Sequence, residues 1–308
     1  MKRLLNIALD NAVALGVVVI VLFLIIPLPT FLLDFLLIVN IGLAIMILMI
    51  TMNISEALEF SIFPSLLLVT TLFRLGLNVS STRMILRDGY AGEVIQNFGQ
   101  LITGGNIVIG VVIFLIIVLV QFIVITKGAE RVAEVAARFT LDAMPGKQMA
   151  IDADLSSGLI NEQEARARRQ KIQKEADFYG AMDGATKIVK GDAVMSIVIT
   201  LINFVGGVII GMVMGGGDFT TVLQTYSIVT IGDGLVAQLP ALMISTATGM
   251  IVTRSVSDGS LNTDVISQFK AQPRAIMATG MILLMLGLFP GTPTLPLLLV
   301  GAVLSVGG

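Results

Sequence analysis

The chain has 308 residues, of which 56% are hydrophobic and 13% charged, and its mean hydropathy is +0.96. This composition excludes an ordinary water-soluble globule and predicts a membrane protein. The sequence contains no Cys, His or Trp, which excludes disulfides, thiolate or imidazole metal sites and nucleophile-His catalytic pairs. The net charge of -2 provides no general attraction for nucleic acid, so we expect neither an enzyme nor a nucleic-acid-binding protein.

Hydrophobic runs predict an all-α, polytopic membrane protein with about eight transmembrane helices. A bilayer core of ~30 Å requires about 20 apolar residues in a helix. The sequence has eight runs that approach this length: Ala12–Leu28, Phe31–Ile50, Phe60–Leu77, Leu101–Ile125, Ala193–Met214, Ile228–Val252, Ala275–Phe289 and Leu295–Val306. Pro64 and Arg74 lie inside the third run, which we therefore expect to be broken or buried against protein.

The charged residues are concentrated in one segment. Of the 19 basic and 21 acidic residues, 22 lie between Lys127 and Asp192. Because an ionised side chain at the bilayer centre costs about 2.5–3.5 kcal/mol, this segment is predicted to lie outside the membrane. The predicted organisation is a first membrane half (1–126), a charged cytoplasmic loop domain (127–192) and a second membrane half (193–308).

Loops rich in Lys and Arg tend to face the cytoplasm, and most of the loop Lys and Arg residues fall on the side that also holds both termini. Both termini are therefore predicted to be cytoplasmic. The residues that disagree are Arg83 and Arg87, which this topology would place on the outer side. The topology of residues 60–95 therefore stays open.

Two helices are predicted within the loop domain. On the first, four charged residues at helical spacing share one face: Arg131, Glu134, Arg138 and Asp142. This charged stripe is either a solvated surface with local ion pairs or a polar path toward an ion entryway or subunit contact. The second helix is predicted to begin at a capping box formed by Asn161 and Glu164, and to run to about Tyr179.

Polar residues next to or within the apolar runs are the candidate site. Asp192 directly precedes the fifth run, and it is either the N-cap of that helix or a protonatable carboxylate influenced by Lys187 and Lys190. Asp233 lies in the sixth run, where it is either functional or solvated near the outer interface. Further intramembrane polar residues are Asp34, Arg74 and Asn78, and Arg74 is expected to pair with one of the acids.

The fifth run also contains glycines at every fourth position. Such a ladder lets helix backbones approach closely, within one subunit or between subunits. The residues are Gly207, Gly211 and Gly215.

Several long strings in the chain resemble the FHIPEP family, the export-gate proteins of flagellar and virulence type III secretion. The longest includes GAERVAEVAARFTLDAMPGKQ, which ends at Gln148. The matching strings are Ile26–Pro29, Phe63–Asn78, Gln121–Gln148, Ala176–Asp192 and Thr230–Gln238. The resemblance favours a flagellar over a virulence system.

The resemblance implies a specific assembly and location. Family members have eight membrane helices and form a ring, thought to contain nine subunits, in the bacterial inner membrane. They couple an ion-motive force to the export of unfolded proteins, with H+ or Na+ as the coupling ion and no cofactor. A large cytoplasmic domain would follow the eighth helix and dock chaperone-substrate complexes and the export ATPase. We expect this domain to be missing from the present chain.

The resemblance also implies functional residues. Residues implicated in the family correspond to Arg131, Arg138, Asp142, Asp183 and Asp192 of this sequence. Asp192 is the leading candidate for the ion-coupling acid, with Asp183 and Asp233 as further candidates, and no metal site is predicted.

Two other functions remain open on the sequence. One is a secondary, ion-coupled transporter of small solutes, which would carry broken helices at corresponding places of two inverted repeats. The other is a membrane scaffold that anchors a cytosolic partner.

Overall fold

The computed structural model describes residues 11–123, 128, 130–214, 218–254, 261–289 and 292–307. All regular secondary structure in these residues is helical, which confirms the predicted all-α class. Besides a 3-10 turn at Ala57–Phe60, the described residues form eleven α-helices. They are α1 (Ala12–Phe23), α2 (Thr30–Asn53), α3 (Phe63–Asp88), α4 (Glu93–Thr103), α5 (Ile107–Ile123), α6 (Glu130–Ser156), α7 (Glu162–Met214), α8 (Phe219–Thr253), α9 (Leu261–Lys270), α10 (Pro273–Gly287) and α11 (Thr294–Gly307).

Four of these helices are long and apolar enough to cross a bilayer: α2, α3, α7 and α8. Helices α4 and α5 are bent by 102° at the break between them and make a fifth crossing if they count as one span. Helices α1, α10 and α11 are apolar but have only 12, 15 and 14 residues. Each of the eight predicted runs therefore lies largely on a helix, but the exact count of eight spans stays a prediction.

The third run is a continuous helix rather than a broken one. Pro64 lies in the first turn of α3, where a missing backbone N–H costs nothing, and most of the apolar stretch of this helix is buried by other helices. The break that the sequence suggested there occurs later, between α4 and α5. The fourth predicted run, which was placed from Leu101, contains this break, and its apolar helix begins only at Ile107.

The chain divides into two compact units, Met1–Thr51 with Ala57–Arg254 and Met52–Glu56 with Ser255–Gly308. The core of the first unit is formed where α3, α7 and α8 pack together, with α1, α4 and α5 around them. In the second unit, α10 packs against α11 at Gly280 and Gly301. A Cβ on Gly301 would lie 3.0 Å from the carbonyl oxygen of Gly280, so these two helix backbones approach closely.

Polar side chains from one helix cap the end of another in the first unit. Asp34 of α2 accepts hydrogen bonds from the backbone N–H groups of Glu93 (2.9 Å) and Val94 (3.0 Å), which begin α4. Arg83 of α3 donates to the carbonyl oxygens of Leu24 and Ile25, both at 3.0 Å, just after α1 ends. Asp34, predicted as an intramembrane polar residue, therefore satisfies a helix N-terminus, and Arg83 satisfies a helix C-terminus.

Helix α6 and the first half of α7 form an antiparallel hairpin. The predicted capping box is present, because Asn161 Oδ1 accepts from the Glu164 N–H at 2.9 Å and Glu164 Oε2 accepts from the Asn161 N–H at 3.0 Å. Three ion pairs join the two helices: Asp152 with Arg169, Asp154 with Arg168 and Lys147 with Glu175. The predicted end near Tyr179 is wrong, since α7 continues without interruption to Met214.

The glycine ladder of α7 packs against an aromatic ring of α8. A Cβ on Gly207 would overlap the ring of Tyr226, and a Cβ on Gly211 would lie 2.6 Å from Tyr226 Cε2. These two glycines thus make a groove for Tyr226 within one chain. Gly215 lies outside the described residues.

Alanine substitutions at two adjacent glycines test the packing of Tyr226 against α7. We expect Gly207→Ala to lower the thermal stability of the detergent-solubilised protein, because its methyl group would displace the buried Tyr226 ring. Gly206→Ala is the matched control, since its Cβ would meet Leu86 Cδ2 at 3.4 Å and Ile202 Cγ2 at 4.0 Å, which are ordinary contact distances. Equal melting temperatures for the two variants, measured by fluorescence-detected size exclusion after heating, would contradict this packing.

Candidate functional site

The strongest candidate site is an ion pair between α3 and α7. Arg74 Nη2 donates to Asp192 Oδ2, and the two side chains are only 4% and 2% exposed. Asp192 lies 30 positions beyond the first residue of α7, so the N-cap interpretation of this residue is wrong. Its partner is Arg74 rather than Lys187, which instead donates to Asp183 at 2.8 Å.

Because this pair is buried, breaking it is expected to cost more stability than breaking a surface ion pair. A buried charge that loses its partner is left unsolvated, which typically costs about 3–5 kcal/mol. The arrangement is therefore stable only while both groups are charged and in contact, or when both are neutral. If Asp192 alone became neutral, the attraction that holds Arg74 against α7 would be lost.

A second buried carboxylate lies further along the same helices. Asp233 of α8 is 5% exposed and accepts a hydrogen bond from Asn203 Nδ2 of α7 at 2.9 Å. The hydroxyl of Ser81 on α3 lies near this carboxylate and donates to the backbone carbonyl oxygen of Asn78 at 3.0 Å. Asp233 is therefore buried rather than solvated at an interface, and Asn203, which donates to it, is neutral.

The two acids lie at different levels of the α3, α7 and α8 bundle. Arg74 and Ser81 are seven residues apart on α3, and Asp192 and Asn203 are eleven residues apart on α7. At 1.5 Å per residue these separations are about 10 and 16 Å along the helix axes. The structure thus places one charge-compensated carboxylate and one carboxylate with neutral partners in a single buried polar column.

The other predicted residues lie outside this column. The charged stripe on α6 is exposed, with Arg131 Nη1 2.9 Å from Glu134 Oε2 and Arg138 Nε 3.8 Å from Asp142 Oδ2. Asp183 is partly exposed and bound to Lys187. Asn78, by contrast, is buried on α3 between Arg74 and Ser81.

Sequence reasoning missed Asn203, which donates a hydrogen bond to Asp233, and Ser81, which lies near the same carboxylate. A usable signal was present, because Asn203 follows Asp192 by eleven residues, which is three helical turns and hence the same face of α7. Among the described residues, no group of three or more His, Cys, Asp or Glu side chains could hold a metal ion.

The long apolar helices and the buried acid–base pair inside them define a polytopic membrane protein with an ionisable core. The chain belongs to the FHIPEP family, whose sequence profile matches residues 20–308. The resemblance drawn from the motifs is thereby confirmed.

Individual relatives are similar over most of the chain. The flagellar biosynthesis protein FlhA of Bacillus subtilis is 56% identical over 280 residues, which are 91% of this chain and 41% of the relative. FlhA of Salmonella typhimurium is 51% identical over 285 residues, 91% of this chain and 41% of the relative. The low calcium response locus protein D of Yersinia pestis is 50% identical over 301 residues, 97% of this chain and 43% of the relative. The chain thus spans about two fifths of the length of these curated relatives, and no solved structure matches it.

The buried pair predicts strong coupling in a double-mutant cycle. Arg74→Gln and Asp192→Asn should each lower the free energy of unfolding by about 3–5 kcal/mol, because each leaves a buried charge unpaired. The double variant should recover most of this loss, since neither charge remains. The measurement is denaturant or thermal unfolding in detergent.

The exposed pair on α6 is the control for this cycle. Arg138 and Asp142 side chains are 83% and 70% exposed, so Arg138→Gln and Asp142→Asn should leave the unfolding midpoint almost unchanged. Additive losses at Arg74 and Asp192, with no recovery in the double variant, would show that the two groups do not depend on each other.

Proposed function

We propose that this chain is the membrane region of an export-gate subunit of a flagellar-type (type III) protein secretion apparatus. The relatives support this assignment, since the B. subtilis and S. typhimurium proteins are named for flagellar biosynthesis. The observation that carries the mechanism is the Arg74–Asp192 pair, buried on a helix that runs directly into the charged hairpin. The role is transport rather than catalysis of a covalent reaction.

The coupling step is a competition for Asp192. A proton or Na+ that binds this carboxylate removes the charge that attracts Arg74, and the contact between α3 and α7 is weakened. When the ion leaves, the pair forms again. Asp233, whose hydrogen-bond donor is neutral, is the second acid along the ion's path. Asp183 and Lys187 precede Asp192 on α7 and so lie closer to the hairpin.

Helix α7 transmits this change to the hairpin. Its 53 residues form one helix about 80 Å long, and Asp192 lies about 45 Å from the first residue. The first half carries the ion pairs to α6, and the second half is apolar. A change in tilt at Asp192 therefore moves the hairpin, including the exposed stripe at Arg131, Glu134, Arg138 and Asp142.

The remaining features of the assembly are part of the same proposal. The subunits form a ring, expected to be a nonamer, in the inner membrane with both termini cytoplasmic, and the coupling ion is H+ or Na+. Large apolar side chains exposed on α2, α5 and α7 supply surface for lipid and for neighbouring subunits. Other export-apparatus membrane proteins, the export ATPase and chaperone-substrate complexes are the expected partners, the last two through the cytoplasmic domain of longer family members.

A chimera tests whether the titratable pair drives export. This chain replaces the matching segment of B. subtilis FlhA, and the unmodified chimera sets the reference for swimming and flagellin secretion. The Arg74→Gln/Asp192→Asn double variant should be inserted and stable but should reduce secretion at least about tenfold, because neither group can exchange charge.

The control is Glu162→Gln, which removes an exposed ion pair with Arg166 on the same helix and should secrete normally. Normal secretion by the double variant, at wild-type protein level, would refute ion coupling at this pair and leave a scaffold role.

A further inference from the structure

Six buried polar atoms of α3, α7 and α8 have no hydrogen-bond partner within the described part of the chain. Each belongs to a residue that is at most 5% exposed. The atoms are Arg74 Nη1, Asn78 Nδ2, Asp192 Oδ1, Asn203 Oδ1, Thr230 Oγ1 and Gln238 Oε1. Since buried polar groups are almost always hydrogen-bonded, a cluster of unpaired donors and acceptors indicates that small polar molecules occupy the space between them.

Two of these residues are neutral amides that lie between the levels of the two acids. Asn78 follows Arg74 by one helical turn and precedes Ser81 by three residues, so it lies between the α3 contacts of Asp192 and Asp233. Its Nδ2 is a donor without an acceptor. An apolar residue would suit this buried position better if the surroundings were dry.

Gln238 approaches the Asp192 level from α8. It borders a cavity of about 10 Å³ between α5, α7 and α8, together with Ala193 and Ser196, which follow Asp192 by one and four residues on α7. That volume is about the size needed for one water molecule. Gln238 follows Asp233 by five residues, which is about 7.5 Å along the axis of α8.

We propose that a short file of water molecules, ordered by the amides of Asn78 and Gln238, connects the Asp192 and Asp233 carboxylates. Asn78 and Gln238 are then positioning residues for the coupling ion. This inference rests on the proposed function, which it extends from a single acid to a path between two. The amides suit this role because they hydrogen-bond water but do not titrate, so they cannot trap the ion.

For a proton, the path conserves charge at each step. The Asp192 carboxyl group gives its proton to a neighbouring water and becomes a carboxylate. The file passes one proton from water to water, and the Asp233 carboxylate accepts it. Each amide keeps its own hydrogens and only orients the waters.

The absence of cysteine from the sequence permits a direct test of hydration. Thiols react with water-soluble methanethiosulfonate reagents as thiolates, which form poorly in apolar surroundings. In this chain, inserted in native membranes, Asn78→Cys and Gln238→Cys should react at least about tenfold faster than cysteines at dry positions. The matched controls are the neighbouring Leu77→Cys and Ala237→Cys, whose native residues are 0% and 6% exposed. Rates at positions 78 and 238 equal to those of the controls would overturn the water file, and would leave the test of the Arg74–Asp192 pair unaffected.

A secretion assay tests the positioning role itself. Asn78→Leu and Gln238→Leu should reduce flagellin secretion by the chimera several-fold, and the conservative Asn78→Ser should restore most of it because a hydroxyl also orders water. Ser245→Ala is the control, since Ser245 is a buried polar residue of α8 beyond the interval between the two acids. Normal secretion by both leucine variants, or a loss that serine does not rescue, would overturn the role of the amides.

Discussion

The buried Arg74–Asp192 ion pair is the interaction on which the arrangement of the membrane helices depends. It joins α3 to α7, which pack against each other, and both charges are almost completely removed from solvent. Apolar contacts between helices tolerate sliding and rotation, whereas a buried ion pair is satisfied in one register only. The pair therefore fixes the position of α7 against α3, and it does so only while Asp192 is ionised.

The second constraint is the continuity of α7. A helix that begins in a charged hairpin and ends in an apolar bundle cannot change its tilt at one end without moving the other. Tyr226, seated on Gly207 and Gly211, keeps the apolar half of α7 close to α8, so a change at Asp192 is transmitted toward Asp233 as well as toward the hairpin. In the proposed mechanism, both acids and the exposed stripe respond to the state of one carboxylate.

The sequence predicted the helices, the family and the acids, because hydrophobic runs and long motifs are local signals. Predictions from the sequence were wrong or missing for residues whose role depends on which helices pack together. Asp192 directly precedes an apolar run and was compatible with an N-cap, yet the charged helix before it continues through this position. Arg83 appeared to violate the charge rule for topology, but it caps α1 across 58 residues. Asn203 had no distinctive motif, and its role at Asp233 follows only from the packing of α7 on α8.

In the proposed mechanism, neutralising Asp192 moves the hairpin relative to the membrane helices. Two spin labels on cysteines at Ser157, at the hairpin tip, and at Leu101, an exposed residue of α4, would report this distance by pulsed electron paramagnetic resonance in lipid. Both positions are exposed, and the chain has no other cysteine. We expect the distance distribution to shift or broaden in Asp192→Asn and to stay unchanged in Glu162→Gln. An unchanged distribution in a well-inserted Asp192→Asn variant would contradict this mechanism.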